Sequence, residues 1–218
     1  GIRRFGFHGS SFEYVTGEAA RLLGIPPDSF NAVIAHVGNG ASATAISGGQ
    51  SVDTSMGLTP LEGLVMGTRP GDLDPGLPRH LAEVAGISVE DYDRALSKES
   101  GLLGLTGSAD MREVMERRDA GDGDAALAFD VVVHRLLHYV GAYAAVLGRL
   151  DAIAFTAGIG EHQLFHLLGG REGLRYRRHQ LHALRLREGV GVADLSQHEL
   201  ERLDERRGVV LRQSSAIM

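Results

Sequence analysis

Two short apolar runs that each end in a glycine loop constrain this chain more than any other feature. The first, Ala32-Val33-Ile34-Ala35, has the length and composition of a buried strand and leads to Gly38-Asn39-Gly40. The second, Asp151-Ala152-Ile153-Ala154-Phe155-Thr156, ends in Ala157-Gly158-Ile159-Gly160-Glu161. It follows a helical stripe at Phe129, Val132, Val133, Leu136, Val140, Tyr143 and Leu147. A helix feeding a strand that closes on a glycine loop is the grammar of an α/β fold. After the first loop the chain does not turn helical. Ser42 to Ile46 reads as a second strand, Ser47-Gly48-Gly49-Gln50 as a turn, and Ser51-Val52 as a short return. The expectation is an α/β fold with a mixed sheet and a glycine hairpin loop.

The remaining elements follow from helical spacing. Residues 10–23 place Phe12, Val15, Ala19, Leu22 and Leu23 on one face, with Ser10 and Glu13 at capping-box spacing and Gly24 as the stop. Between about 76 and 128 the pattern is helical, with Ser88/Asp91 and Ser108/Met111/Arg112 near helix starts and Asp119 to Asp124 as a polar turn. We read this stretch as a helical insertion. Residues 1–162 hold 12 basic and 21 acidic side chains and residues 163–218 hold 10 and 7, so the net charge changes from −9 to +3. That change places a domain boundary near His162. The segment 163–218 is expected to be a divergent basic tail, helical or partly disordered.

Composition excludes several classes. A formal charge of −6 and a pI near 5.9 argue against nucleic acid or an anionic membrane as partner. The absence of cysteine rules out a disulfide framework, a thiolate nucleophile and a Cys-based zinc site, and fits a reducing cytoplasm. Phe129 to Leu150 carries His134, Arg135, His138 and Arg149 and reads as too polar to span a bilayer. The chain opens on Gly1 and runs at once into Arg3-Arg4-Phe5-Gly6-Phe7-His8-Gly9, from which we expect a longer protein upstream.

Three loops carry candidate chemistry. In His36-Val37-Gly38-Asn39-Gly40-Ala41-Ser42 the glycines allow close backbone approach to a ligand, and Asn39 offers both a donor and an acceptor. The loop reads as a phosphate cradle, as a plain β-turn, or, through Gly38-x-Gly40-x-x-Ala43, as a dinucleotide-binding loop. The last requires a helix to follow, where the sequence predicts a hairpin. Gly158-Ile159-Gly160 lies at a strand end, where anions collect in α/β folds and where a following helix N-terminus would favour them, although by itself the tetrad Gly158 to Glu161 reads first as a plain helix-start turn. The stretch Met66 to Pro75 presents Arg69 beside Asp72 and Asp74. Arg69 would clamp a phosphoryl group bidentately provided those acids do not neutralise it. Capping is the expected use of Asp72 and Asp74, ahead of Mg²⁺ binding. His8, just before a helix start, reads as a structural or exposed histidine or as a donor to a phosphoryl oxygen. His134 and His138 are read as surface or packing residues, and Asp119, Asp122 and Asp124 as a turn.

The order of these segments resembles the acetate kinase family, which includes propionate kinases, within the actin-like and sugar kinase-like ATPases. The stretches that carry the resemblance are RRFGFHGSS at 3–11, HVGNGAS at 36–42, SVDTSMGLTPLEGLVMGTRPGDLDP at 51–75, SGLLGLTGSADMR at 100–112 and FTAGIGE at 155–161. The resemblance implies a ribonuclease H-like fold, ATP/ADP and Mg²⁺, phosphoryl transfer to acetate or propionate, a cytoplasmic location and a homodimer. It further implies that His8 stabilises the transferring phosphoryl and that Arg69 holds carboxylate and phosphoryl. Gly38, Asn39 and Gly40 would contact the ATP phosphates. Asp110, Met111 and Arg112 would lie beside the adenosine, with Gly158, Ile159 and Gly160 in the adenosine-side loop. Phe7 and Pro60 would be walls of the acetate pocket. No metal ligand is assigned. The family's N-terminal half, with a first phosphate loop, a catalytic aspartate and a second arginine, has no counterpart in this sequence, so the chain alone is expected to be inactive. Phe12 stands where a second histidine is usual and His162 where asparagine is usual.

Overall fold

The computed structural model describes residues 1–160 and 182–185. The expected boundary near His162 falls outside the described residues, as does the tail except for its four residues 182–185. The described residues divide into two compact units, one made of residues 1–7, 39–42 and 55–138, the other of residues 8–38, 43–54, 139–160 and 182–185.

The second unit contains α1 (Gly9–Leu23), β1 (Ala32–Val37), most of β2 (Ala41–Ser47), β3 (Gln50–Thr54), β4 (Ala152–Thr156) and β5 (His182–Arg185). The strands form one sheet in the order β3-β2-β1-β4-β5, so the expected mixed sheet is present. β1 and β4 run parallel with Ala32 opposite Ala152 and His36 opposite Thr156, and β4 and β5 are parallel as well. All five residues of β4 and five of the six in β1 are buried, the pattern of parallel strands covered on both faces. One face meets α1, whose Phe12, Val15, Ala19, Ala20 and Leu22 pack with Phe30, Ala32, Ile34, Ile46, Ala152 and Ala154. Full burial of a side chain such as Ile34 contributes roughly 1.5–3 kcal/mol.

At the start of the strands Asn31 and Asp151 exchange backbone bonds, Asn31 N–H donating to the Asp151 carboxylate and Asp151 N–H to the Asn31 carbonyl, both at 2.8 Å. Asn31 Oδ1 also accepts the Gly48 N–H at 3.0 Å and so ties the hairpin turn to the sheet. Gly48 and Gly49 both take positive φ (55° and 76°), as a type I′ turn requires. The predicted return strand exists and reaches Thr54, two residues further than expected.

α1 corrects one expectation. Its N-cap is His8 in the left-handed region (φ 63°, ψ 24°) with no side-chain cap, and Ser10 and Glu13 lie inside the helix rather than forming a capping box.

The first unit is built from α2 (Leu77–Ala85), α3 (Val89–Arg94), α4 (Gly101–Thr106), α5 (Met111–Asp119) and the first part of α6 (Gly123–Leu147), which matches the expected helical insertion. Ser88 caps α3 by accepting the Asp91 N–H at 3.0 Å. Asp110 caps α5 by accepting the Arg112 N–H at 2.9 Å. Asp122 accepts the N–H groups of Asp124 and Ala125, as the expected turn requires. By length and composition α6 is apolar enough to cross a bilayer, contrary to the reading of it as too polar. Its stripe of Ala125, Phe129, Val132, Leu136 and Val140 is buried in the protein and Arg135 is ion-paired, the pattern of an amphipathic helix packed on one face.

Backbone contacts hold the loop before α2. Leu102 and Leu103 at the start of α4 donate to the carbonyls of Met66 and Gly67 at 2.9 Å, and Ser100 donates to Thr68 at 3.0 Å. The approach is so close that a Cβ on Gly101 (φ +62°) would collide with the Met66 carbonyl oxygen and lie 2.6 Å from that of Arg69.

Two outcomes follow. Gly101→Ala is expected to destabilise the chain by well over the roughly 1–2 kcal/mol that a left-handed residue alone costs. Gly107→Ala, at φ +79° with open space around it, is expected to cost only that amount. Urea denaturation of the two variants measures the difference. Asp110 is held at a pKa of about 2, first by side-chain hydrogen bonds from Arg112 and then by the Arg112 backbone N–H. Because the folded value is depressed, this contribution to stability is complete above the ordinary carboxylate range and fades as pH falls towards 2. Carbon-detected NMR titration is expected to place the Asp110 midpoint there, and Arg112→Ala to move it up without fully restoring the ordinary value.

Candidate functional site

In the first unit, three of the predicted segments meet at Gly67. Its N–H donates to the Asn39 carbonyl at 2.9 Å. A Cβ there would strike the Asn39 side-chain oxygen and come within 3.1 Å of the carbonyl of Ala109, the residue before Asp110. Gly67 therefore brings the Asn39 loop, the Asp110 helix start and the Arg69 loop to one point, where a side chain would have to displace the Asn39 amide. Asn39 itself is exposed, flanked by Gly38 and Gly40, neither of which takes a positive φ. Their value is the absence of a side chain on either side of Asn39.

Arg69 is half-buried and donates through Nη1 to the Pro60 carbonyl at 2.7 Å, so the structure joins two of the predicted residues directly. Burial pushes the guanidinium below its ordinary pKa, and no carboxylate opposes that shift. Among the described residues no acidic group pairs with Arg69. A carbonyl orients the guanidinium without neutralising it, which leaves a positive charge in a place where water screens it only partly. Of the acids that share its loop, Asp74 serves as expected in a turn, accepting the Gly76 N–H at 2.7 Å, whereas Asp72 is not a cap: it accepts the Gly63 N–H at 2.8 Å across nine residues and pairs with Arg135.

Arg112 closes on Asp110 through Nε at 3.1 and 3.2 Å and Nη2 at 2.6 Å, while its side chain remains 81% exposed. The pair fixes a flat guanidinium plane at the surface, a shape suited to stacking on an aromatic ring. Met111 is buried. Phe7 and Pro60 are half-buried.

In the second unit, His8 stacks on His36 with ring centroids 4.0 Å apart and planes within 15°, and meets Phe12 edge-on at 6.3 Å. Ser11 Oγ lies 2.9 Å from Nδ1 of His36, a hydrogen bond that orients the second ring whichever tautomer it adopts. The left-handed backbone of His8 costs of order 1–3 kcal/mol and is held by this packing, an arrangement that strained residues in functional sites commonly show. Gly158 is exposed, Ile159 half-buried and Gly160 buried, with an ideal Cβ on Gly160 only 3.7 Å from Val37 at the end of β1. Both glycine loops of the sequence therefore leave neighbouring strand ends. Glu161 and His162 lie outside the described residues.

Sequence reasoning did not single out Ser11, His36 or Arg135 as site residues. His36 had a signal, as the one ionisable residue in an otherwise apolar strand. Arg135 had none, because its partner Asp72 lies 63 residues away. Among the described residues no group of three metal-ligating side chains forms. His134 and His138 are exposed on α6, in line with the reading of them as surface residues.

The model of the acetokinase family matches residues 1–166. The acetate kinases of Streptomyces griseus subsp. griseus and Streptomyces coelicolor are each 60% identical over 161 residues, covering 74% of this chain and 39% and 40% of those proteins. Among solved structures, the acetate kinase of Porphyromonas gingivalis matches with a TM-score of 0.72 at 45% identity, over 74% of this chain and 41% of that one. A propionate kinase from Francisella tularensis subsp. tularensis matches with a TM-score of 0.73 at 45% identity, over 77% and 43%. The chain spans about two-fifths of the length of the curated relatives it matches. Its mixed sheet and helices are those of the acetate kinase structures, an α/β fold of the actin-like ATPase type. With the matched region reaching residue 166 and so including every site residue named above, the chain belongs to the acetokinase family.

Proposed function

We propose that this chain is the nucleotide-binding part of an ATP-dependent phosphotransferase that acts on a small carboxylate, acetate or propionate, and forms the acyl phosphate. The observation that carries the reading is Arg69, a half-buried guanidinium oriented by a neutral carbonyl and opposed by no acid. Phosphoryl transfer needs positioned positive charge more than it needs covalent chemistry. As the carboxylate oxygen attacks the γ-phosphorus and the bond to ADP breaks, negative charge spreads over the equatorial oxygens. Arg69 holds carboxylate and phosphoryl, and His8 donates an N–H to the transferring group. Gly38, Asn39 and Gly40 contact the nucleotide phosphates through backbone and amide groups. Asp110, Met111 and Arg112 lie along the adenosine, with the exposed Arg112 plane against the base, and Gly158, Ile159 and Gly160 complete that side. Phe7 and Pro60 bound the acyl group. Acetate and propionate differ by one methylene, which a pocket distinguishes by only about 1–3 kcal/mol.

Mg²⁺ belongs to this chemistry as the partner of the nucleotide phosphates, and no residue is assigned to it. Asp74 is used in a turn and Asp72 in bonds to Gly63 and Arg135, and no three-ligand cluster exists among the described residues. Homodimerisation and a cytoplasmic location are part of the same reading. A dinucleotide-dependent oxidoreductase is disfavoured because Gly38-Asn39-Gly40 enters β2 rather than a helix.

Two measurements test the reading. Calorimetric titration of this chain with MgADP is expected to give saturable binding that Gly67→Ala abolishes and NADH does not reproduce; NADH binding in place of MgADP would sink it. For catalysis, the chain alone is expected to make no acyl phosphate from MgATP and acetate. Joined to the N-terminal part of the Streptomyces griseus relative it is expected to do so, with Arg69→Gln lowering kcat/KM by about 10²–10³-fold. Undiminished activity in that variant would remove Arg69 from the mechanism.

A further inference from the structure

The loop that supplies the Pro60 carbonyl, residues 55–63, is closed at its neck. A Cβ on Gly63 would lie 2.6 Å from the Ser55 carbonyl oxygen, so the two ends of the loop are in contact. A Cβ on Gly57 would strike Oε2 of Glu62, which places that carboxylate against the opposite limb. Arg4 bridges both limbs: Nη2 donates to Oε1 of Glu62 at 2.7 Å and Nη1 to the Met56 carbonyl at 3.3 Å. One residue on, the Phe5 N–H donates to the Gly57 carbonyl at 3.0 Å. Pro60 lies in the tip of the loop, and its carbonyl accepts from Nη1 of Arg69 at 2.7 Å.

We infer that Arg4 is a positioning residue for Arg69: by pinning Glu62 and the Met56 carbonyl across the neck of the loop, it fixes the Pro60 carbonyl on which the Arg69 guanidinium is oriented. The inference rests on the reading of Arg69 as the anion-holding residue. The tip from Leu58 to Leu61 stands between the two pinned limbs, and proline fixes one of its backbone torsions, so a displacement at the neck is carried to the Pro60 carbonyl. A guanidinium suits this bridge because its nitrogens diverge, one towards a carboxylate and one towards a carbonyl. The Arg4 and Glu62 side chains are 43% and 44% exposed, so the pair contributes modestly to stability and its loss leaves the chain folded.

Hydrogen exchange at the Arg69 guanidinium, followed by ¹⁵N NMR of the purified chain with the Arg69 signals identified by their loss in Arg69→Lys, reads the bond to Pro60 without any ligand. Arg4→Met is expected to speed this exchange about two- to fivefold, the effect of one exposed ion pair. Arg4→Lys, which keeps the ion pair but not the second bond, is expected to fall between Arg4→Met and the wild type. Adding Glu62→Gln to Arg4→Met is expected to speed exchange no further, because the two residues act as one pin. Arg79→Met, which removes the exposed pair with Glu83 on α2, is expected to leave Arg69 unchanged. A pair that served stability alone would lower the melting temperature in Arg4→Met and leave the Arg69 exchange rate where it was. That result, or an equal acceleration in Arg79→Met, overturns the inference. Inorganic phosphate separates it from the functional reading. If phosphate fails to slow exchange in the wild type, the anion-holding role falls, while the order of rates across the variants still decides what Arg4 does.

Discussion

The parallel pairing of β1 with β4 is the interaction on which the rest of the second unit depends. It joins residues 120 apart in sequence, and its loop-closure cost must be met by burial. Both strands are almost wholly apolar and are covered on both faces, so the gain is concentrated in two short segments. Parallel direction has a further consequence. The C-terminal ends of both strands, and with them Gly38 and Gly158-Ile159-Gly160, emerge at one edge of the sheet, where α/β folds bind ligands. The closeness of Gly160 to Val37 is the local expression of that register.

In the first unit the organising constraint is backbone approach rather than apolar burial. Gly67 is the point where Asn39, the Ala109 carbonyl and the Arg69 loop converge, and Gly101 lets α4 begin directly against the Met66 and Arg69 carbonyls. Loops built this way have little freedom, because main-chain hydrogen bonds and the absence of a Cβ set their geometry. Side chains extending from them inherit that precision. The Pro60 carbonyl that orients Arg69 is part of the same construction.

What the sequence made legible was the part that local periodicity encodes. Ala32–Ala35 and Asp151–Thr156 read as buried strands, Ser47-Gly48-Gly49-Gln50 as a hairpin turn and the stripe from Phe129 to Leu147 as a long helix, and all four are present. Ser88 was legible as a cap because it acts within three residues. The start of α1 was not, since the left-handed conformation of His8 is maintained by stacking on His36 from a different element. The return strand was cut short because Asp53 lacks strand propensity, and the pairing of Asp53 and Thr54 with Ala45 and Thr44 comes from the hairpin register. Arg135 was illegible for the same kind of reason: its bond to Asp72 crosses 63 residues and leaves no local trace.

The net charge of −6 says little about the affinity of this chain for anions, and the placement of its acids explains why. Asp72, Asp74, Asp110 and Asp122 each accept a backbone N–H, and all but Asp74 also engage an arginine. A carboxylate bound in this way has its field partly cancelled at short range, so its contribution to a neighbouring site is smaller than its formal charge. Arg69 is treated in the opposite way: it has a neutral partner and partial burial, which strengthens its field. An acidic protein thus keeps one loop guanidinium beside a neutral partner through the way its hydrogen bonds are distributed, and the same distribution leaves those four aspartates poorly suited to serve as metal ligands.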